Sequence, residues 1–255
     1  MTSPPAAHVR LRATVVIPCF NEEQRLDPRG VEELLTDADT RVVLVDDGSV
    51  DNTKALIERI ASTSAGRVTA AVLRQNRGKA EAVREGLRVA VGEDVDIVAY
   101  LDADFATSAA EMQRIIDTLR AAPALKAAIG ARVALLGHHI ERKAARHFLG
   151  RVFATAASLV LGVHVYDTQC GAKAFRVDDV FKGAIAAPFT SRWVFDVELL
   201  ERLLSMGSGD RADMIAEVPL KSWRDVRGSK LGPAAMAHAA WDLGKIAARR
   251  GPRSR

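Results

Sequence analysis

Cysteine is nearly absent: Cys19 and Cys170 are the only two in 255 residues, far apart and without metal-ligand spacing. A disulfide framework does not fit that pattern, and a reducing, cytosolic compartment is the expectation. Long apolar runs are also missing. The longest low-charge stretch, residues 152–165, falls short of the roughly 20 residues a membrane-spanning helix needs. Residues 1–10 have no apolar core to act as a leader, and a short disordered lead is expected over 1–12. Basic residues are dispersed and not interleaved with aromatics, which argues against nucleic-acid binding. The histidines show no metal-ligating pattern. No internal repeat and no low-complexity linker interrupts the chain, so one domain is expected.

What is present is a rhythm. Hydrophobic residues make up 48% of the chain, enough for one large core, and the net charge of +4 suits an acidic ligand without requiring one. A β-branched run at residues 14–18 ends on Pro18 and reads as a buried strand that stops there. Further strands are expected at 41–45, 68–73 and 95–101. Between them lie helical patterns carrying Val31, Leu34 and Leu35, then Leu56, Ile57 and Ile60, then Ala82, Val83 and Leu87. This alternation predicts an α/β fold: a Rossmann-like, mostly parallel central sheet with helices on both faces.

Ligands of such sheets bind beyond the carboxyl ends of the strands. Four polar loops fall there, at residues 18–22, 46–51, 76–79 and 102–104. Asp102 and Asp104 share a face if their strand continues, and hard carboxylate oxygens suit Mg²⁺ or Mn²⁺. Alone, the pair is more simply a solvated acid and a helix cap supplied by Asp104 or Ser108. Three further polar clusters on one edge favour a site.

In order along the chain, Val16-Ile17-Pro18-Cys19-Phe20-Asn21-Glu22-Glu23, Val45-Asp46-Asp47-Gly48-Ser49-Val50-Asp51-Asn52-Thr53, Asn76-Arg77-Gly78-Lys79 and Asp102-Ala103-Asp104 resemble the motifs of family 2 inverting glycosyltransferases with the GT-A fold. Downstream, Asp167-Thr168-Gln169-Cys170-Gly171-Ala172-Lys173, Arg192-Trp193-Val194-Phe195-Asp196-Val197-Glu198-Leu199-Leu200 and Gly228-Ser229-Lys230-Leu231 resemble the dolichyl-phosphate β-glucosyltransferase branch, among the polyprenyl-phosphate glycosyltransferases. The resemblance implies a single GT-A domain at 13–231, with a nucleotide half at 13–106 and an acceptor half at 107–231. A C-terminal helix and basic tail follow at 232–255. Eukaryotic members of that branch carry an N-terminal membrane anchor not evident here, which weakens the lipid-acceptor expectation and leaves the donor one intact.

The resemblance further implies a UDP-sugar donor, glucose foremost, and Mg²⁺ or Mn²⁺ as cofactor. Pro18, Phe20, Glu22, Asp46 and Asp47 would hold the nucleoside, with Arg77 and Lys79 as cations near the donor. Asp102 and Ala103 would lie against the donor, and Asp102 and Asp104 would bind the metal. Without the resemblance, Asp47-Gly48-Ser49 is a plain turn and cap, and Arg77 and Lys79 a basic turn.

The acceptor half is expected to use Arg132, Gln169 and Trp193, with Arg227, Ser229 and Lys230 in a basic loop closing over the diphosphate. Arg132 follows a strand at 126–131. Asp167, after a β-like run at 163–166, is the first choice for the carboxylate facing the sugar, and Asp196 the second. A last, edge strand is expected at 217–220. Residues 138–161 read as one helix, basic at His138, His139, Arg142, Lys143, Arg146 and His147, then apolar at Phe148, Leu149, Val152, Phe153, Leu159 and Val160. It fits a peripheral membrane contact, a core helix or a homodimer contact. Arg249, Arg250, Arg253 and Arg255 end the chain as a tail suited to anionic lipid or simply to water. The acceptor is expected to be a polyprenyl phosphate or, alternatively, the hydroxyl of a small molecule; a third alternative is a non-catalytic nucleotide-sugar-binding domain.

Overall fold

The computed structural model describes residues 11–140, 144–224 and 233–248. Its first half repeats one unit: β1 (Ala13–Cys19), α1 (Pro28–Leu34), β2 (Thr40–Asp46), α2 (Thr53–Thr63), β3 (Val68–Val72), α3 (Lys79–Val91), β4 (Ile97–Leu101) and α4 (Ala109–Ala121). The second half is less regular: β5 (Ala127–Ala131), β6 (His139–Ile140), α5 (Ala144–Leu161), β7 (Ala172–Arg176), α6 (Asp179–Ala186), α7 (Phe195–Met206), α8 (Arg211–Met214), β8 (Ile215–Pro219), β9 (Ser222–Trp223) and α9 (Pro233–Ala248). Among the described residues one sheet has the order β3-β2-β1-β4-β7-β5-β8, and β6 pairs with β9 in a second.

Alternation along the buried strands divides the core in two. Val16, Val98 and Tyr100 pack with α3, α5, α6 and α7, while Val15, Ile17, Ala99 and Leu101 pack with α1, α2 and α4. The large sheet is parallel except at β7, which runs antiparallel to both β4 and β5. The expected mostly parallel sheet with helices on both faces is therefore observed. Strand order reverses direction at β1 and β4, which sets the ligand crevice beyond their carboxyl ends. Because β7 is reversed, its amino end meets the same edge: Ala172 pairs with Leu101. That reversal delivers residues 167–171 to the crevice.

Several local expectations need correction. Residues 163–166 form no strand; Ser158 Oγ takes the Val165 N–H at 3.0 Å, and Arg151 lies over the Tyr166 ring. His138 and His139 do not begin a helix. His139 pairs with Ser222, and the His138 ring contacts the Leu220 carbonyl at 2.8 Å. β1 continues through Pro18 to Cys19, past the last β1–β4 pair at Val16, so proline's missing N–H falls beyond that ladder. Arg12, placed in the lead, donates its N–H to Asp96 at 2.8 Å. The basic tail at 249–255 and most of the lead lie outside the described residues. Among the described residues no helix is long and apolar enough to cross a membrane.

Gly86 marks where α3 presses closest to the sheet. A Cβ there would stand 2.3 Å from Val16 Cγ1 and 2.7 Å from Val45 Cγ2. Gly86→Ala is expected to cost about 1–3 kcal/mol by overpacking. Urea unfolding checks this: the midpoint falls with an unchanged slope, and an unmoved midpoint would mean the helix shifts freely.

Candidate active site

Three loops at the crevice are locked to one another before any ligand is considered. Asn21, at φ +54°, receives its place from two cross-loop bonds: its N–H donates to Ser49 Oγ and its side-chain oxygen accepts from the Val50 N–H, both at 3.0 Å. The Glu22 N–H donates to Thr53 Oγ1 at 2.7 Å. Asp46 accepts the Ser49 N–H at 3.2 Å, and the buried Asp47 carboxylate takes the Arg77 and Gly78 amides at 2.8 Å each. Burial pushes Asp47 upward in pKa while those two amides oppose it. Gly48, at φ +67°, has no room for a side chain, since a Cβ would lie 2.5 Å from the Gln75 backbone. Asp46 and Asp47 thus build the wall of the crevice with their own side chains. Phe20 is exposed at its mouth.

The acids gather at the end of β4. The Asp102 N–H donates to the Gly171 carbonyl at 3.0 Å, and Lys79 Nζ sits 2.6 Å from Asp102 Oδ1. Asp104 accepts the Ala106 N–H at 3.0 Å, across a turn in which Phe105 has φ +49°. Ser108 caps α4, accepting the Glu111 N–H at 3.3 Å; Asp104 does not. Burial raises the Asp104 pKa, and the Asp102 charge raises it further. Burial likewise raises Glu22, with Asp104 and Asp102 adding to it, although Arg25 donates to Glu22 Oε1 at 2.5 Å. Glu22 Oε2 is buried without a hydrogen-bond partner among the described residues. Glu22 and Asp104, both raised, gather with the Asp102 charge in a site favourable to a cation. Among the described residues no three His, Cys, Asp or Glu side chains stand ready to cage a metal, which is compatible with Mg²⁺-type sites built from one or two carboxylates plus ligand phosphates. Arg77, on the loop before α3, pairs with Glu81 of that helix at 2.9 Å.

Across the crevice, Arg132 leaves β5 and grips Asp167 with both arms of its fork, Nε to Oδ2 at 2.6 Å and Nη2 to Oδ1 at 2.8 Å. Its guanidinium lies 5.2 Å from the centre of the Trp223 ring. Glu217 on β8 fixes the approach by accepting the Tyr166 and Asp167 N–H groups at 2.7 and 2.9 Å. Thr168 Oγ1 and Gln169 Nε2 are buried without a hydrogen-bond partner among the described residues. Asp196 lies in the first turn of α7, where its Oδ1 accepts the Tyr100 hydroxyl and the Lys173 ammonium, the latter at 2.9 Å. Burial pushes Asp196 up to about 7, against the pull of Lys79. Trp193 is half-exposed just before α7 and donates its N–H to Ser191 Oγ at 3.2 Å. Arg227, Ser229 and Lys230 lie outside the described residues.

The structure therefore brings Glu22, Lys79, Asp102 and Asp104 together on one side, and Arg132, Asp167 and Gln169 on the other. Four residues escaped the sequence reading. Tyr100 sits within an apolar strand where a site side chain is not sought, and Lys173 stood only as the end of the Asp167–Lys173 motif, with no role attached. Glu217 acts through backbone amides only. Arg192, adjacent to Trp193, has its stem 3.7 Å from where a Gly78 Cβ would stand; its position beside a motif tryptophan was the available signal.

A doubly wound sheet with an acid-rich crevice at its switch point is the plan of an enzyme that binds a nucleotide. More narrowly, this chain belongs to glycosyltransferase family 2: residues 14–181 match the family model "Glycosyl transferase family 2". It is a glycosyltransferase. Mouse dolichyl-phosphate β-glucosyltransferase is 33% identical over 240 residues, spanning 86% of this chain and 69% of that protein. Its Saccharomyces cerevisiae namesake is 31% identical over 248 residues, spanning 86% and 68%. Among solved structures, glucosyl-3-phosphoglycerate synthase from Mycobacterium tuberculosis, crystallised with Mn²⁺, UDP and glucosyl-3-phosphoglycerate, superposes with TM-score 0.66 at 19% identity, covering 95% of this chain and 82% of that one. The mannosyltransferase PcManGT from Pyrobaculum calidifontis, with GDP-Man and Mn²⁺, gives 0.63 at 21% identity, covering 97% and 67%. These likenesses bear on the fold, which is GT-A.

Proposed function

We propose that the protein transfers glucose from UDP-glucose, with inversion and with Mg²⁺ or Mn²⁺, to a polyprenyl phosphate of the dolichyl type. The observation that carries the donor half is the convergence of Glu22, Asp102 and Asp104 beside Lys79 at the switch point. The donor set fits a hard divalent cation: Asp102 and Asp104 would hold it, with donor phosphate oxygens as further ligands. When bound, the cation would supply neutralising charge to UDP as leaving group. Asp46, Asp47, Pro18 and Phe20 would frame the nucleoside, and Arg77 would add positive charge beside the diphosphate.

In the transfer, an acceptor phosphate oxygen bonds to the anomeric carbon as the bond from that carbon to the UDP oxygen breaks. An ionised phosphate needs no proton removed. Arg132, oriented by Asp167 and Trp223, would face that phosphate. Asp167 is then the group that aims Arg132, and Asp196 is the better-suited carboxylate to offset positive charge on the sugar, because Lys79 feels Asp102 and Asp196 together. The names of the relatives support the lipid phosphate. So does an apolar face: Val152 and Leu159 on α5, and Trp241 on the adjoining α9, are exposed, a surface suited to peripheral membrane contact or, in competition, to a homodimer.

A second reading, transfer to a small-molecule hydroxyl, draws on Asp196. A carboxyl pushed up to about 7 suits a base that takes a hydroxyl proton, which a phosphate acceptor does not require. Radiolabelled UDP-glucose, Mg²⁺ and farnesyl phosphate distinguish the two: organic-extractable label is expected, and its absence would sink the first reading.

Either way Asp196 must be ionised to act. Its carboxyl is faced by Tyr100, Lys173 and Lys79, and its pKa is raised, so it carries a proton at lower pH and loses it as pH rises through about 7. The rate should climb across that range, and Asp196→Asn should lower kcat about 100-fold and erase the climb. A pH profile unchanged by the substitution would remove Asp196 from the mechanism.

A further inference from the structure

Lys173 is a fully buried lysine in the middle of the large sheet, paired on either side with Tyr100 of β4 and Ile129 of β5. Such a position is costly for an ammonium, and an apolar residue of similar size would ordinarily be as stable there or more so. Its three contacts point to a reason. Nζ donates to the Cys170 carbonyl at 2.5 Å and to Asp196 Oδ1 at 2.9 Å, and it lies 5.3 Å from the centre of the Tyr100 ring. Cys170 belongs to the loop that carries Asp167, Gln169 and Gly171, and Gly171 in turn accepts the Asp102 N–H. Asp196 lies in the first turn of α7, three residues after Trp193. One charge therefore ties the acceptor loop, the first turn of α7 and the strand that ends in Asp102.

We propose that Lys173 is a positioning residue for sugar transfer, fixing with a single ammonium both the Cys170 carbonyl of the acceptor loop and the Asp196 carboxylate. It touches no substrate. Its effect passes through the two groups it holds, so donor binding at Glu22, Asp102 and Asp104 should be nearly independent of it, while the rate of transfer should depend on it. The inference rests on the proposed reaction only for its kinetic readout.

The test compares Lys173→Met, Asp196→Asn and the double variant with the unaltered chain. Kinetics use UDP-glucose, Mn²⁺ and farnesyl phosphate, and backbone amide exchange is followed without substrate. Lys173→Met is expected to lower kcat about 100-fold, the scale of a small misplacement of reacting groups, with KM for UDP-glucose within about threefold. Exchange should accelerate over residues 168–171 while β1 and β4 amides stay protected. The double variant should lose less than the product of the two single losses, because both substitutions break the Lys173–Asp196 tie while only Lys173→Met also frees the Cys170 carbonyl. Unchanged kcat, additive losses in the double variant, or exchange rising equally across β1 and β4 would each overturn the proposal, the last by showing a general loss of stability. If the unaltered chain moves no label from UDP-glucose, the donor or acceptor reading fails, and the exchange pattern still decides the role of Lys173.

Discussion

Asp104→Ala is expected to reduce metal-dependent turnover by about a thousandfold or more, the scale of several kcal/mol of lost charge stabilisation at the leaving group. The side chain does two jobs. One is structural: it accepts the Ala106 amide across the turn where Phe105 has positive φ. The other is electrostatic, since its half-buried charge adds to those of Asp102 and Glu22. Asp104→Asn separates the jobs, because an amide oxygen still accepts from Ala106 while the charge is gone. Asp104→Asn should fold with a nearly unaltered thermal midpoint and Asp104→Ala with a lower one, and both should lose turnover and the Mn²⁺-dependent stabilisation by UDP-glucose. Activity within tenfold of the unaltered chain in Asp104→Asn would place the metal elsewhere.

Gly171→Ala should be nearly as damaging for a different reason. A Cβ on Gly171 would lie 2.1 Å from Asp102 Oδ2 and 2.3 Å from its Cγ, so the carboxylate must leave its place beside Lys79. A loss of about 100-fold in kcat is expected, as for reacting groups displaced by about an ångström, with a stability cost of about 1–3 kcal/mol from overpacking. Gly86→Ala supplies the control: its Cβ would stand 2.3 Å from Val16 and 2.7 Å from Val45, apolar side chains and not a carboxylate. Equal activity losses in the two variants, matched to equal losses of stability, would show that Gly171 serves packing alone.

These two residues also show what the sequence could and could not convey. Asp104 was visible because it ends an apolar run, and because three other polar loops close three other strands in the same pattern. The local alternation of strand and helix determines that geometry, so it can be read locally. Gly171 was visible only as part of a motif. Its partner Asp102 is brought near by β7, whose Ala172-Lys173-Ala174-Phe175-Arg176 is interrupted by charge, and whose antiparallel direction depends on contacts with β4 and β5. The same holds for Asp167. Read alone it is a carboxylate facing the sugar, and its pairing through both oxygens with Arg132, distant in sequence, is not visible locally. Asp47 could be read from its motif as a nucleoside contact or as part of a plain turn and cap; its carboxylate takes the Arg77 and Gly78 amides, about thirty residues on, a pairing no local pattern conveys. His138 and His139 misled because a basic start followed by apolar residues mimics a helix, whereas the β6–β9 pairing that claims His139 is non-local.

The central claim is that Glu22, Asp102 and Asp104 form a cation-dependent site for a UDP-sugar. A thermal-shift titration of UDP-glucose, UDP-galactose, UDP-N-acetylglucosamine and GDP-mannose, with and without Mn²⁺, tests it most directly, because stabilisation grows with ligand concentration over its dissociation constant. UDP-glucose with Mn²⁺ should give the largest rise in midpoint, and Asp104→Asn should abolish it. A larger rise with GDP-mannose, or a rise that neither Mn²⁺ nor Asp104→Asn changes, would contradict the account.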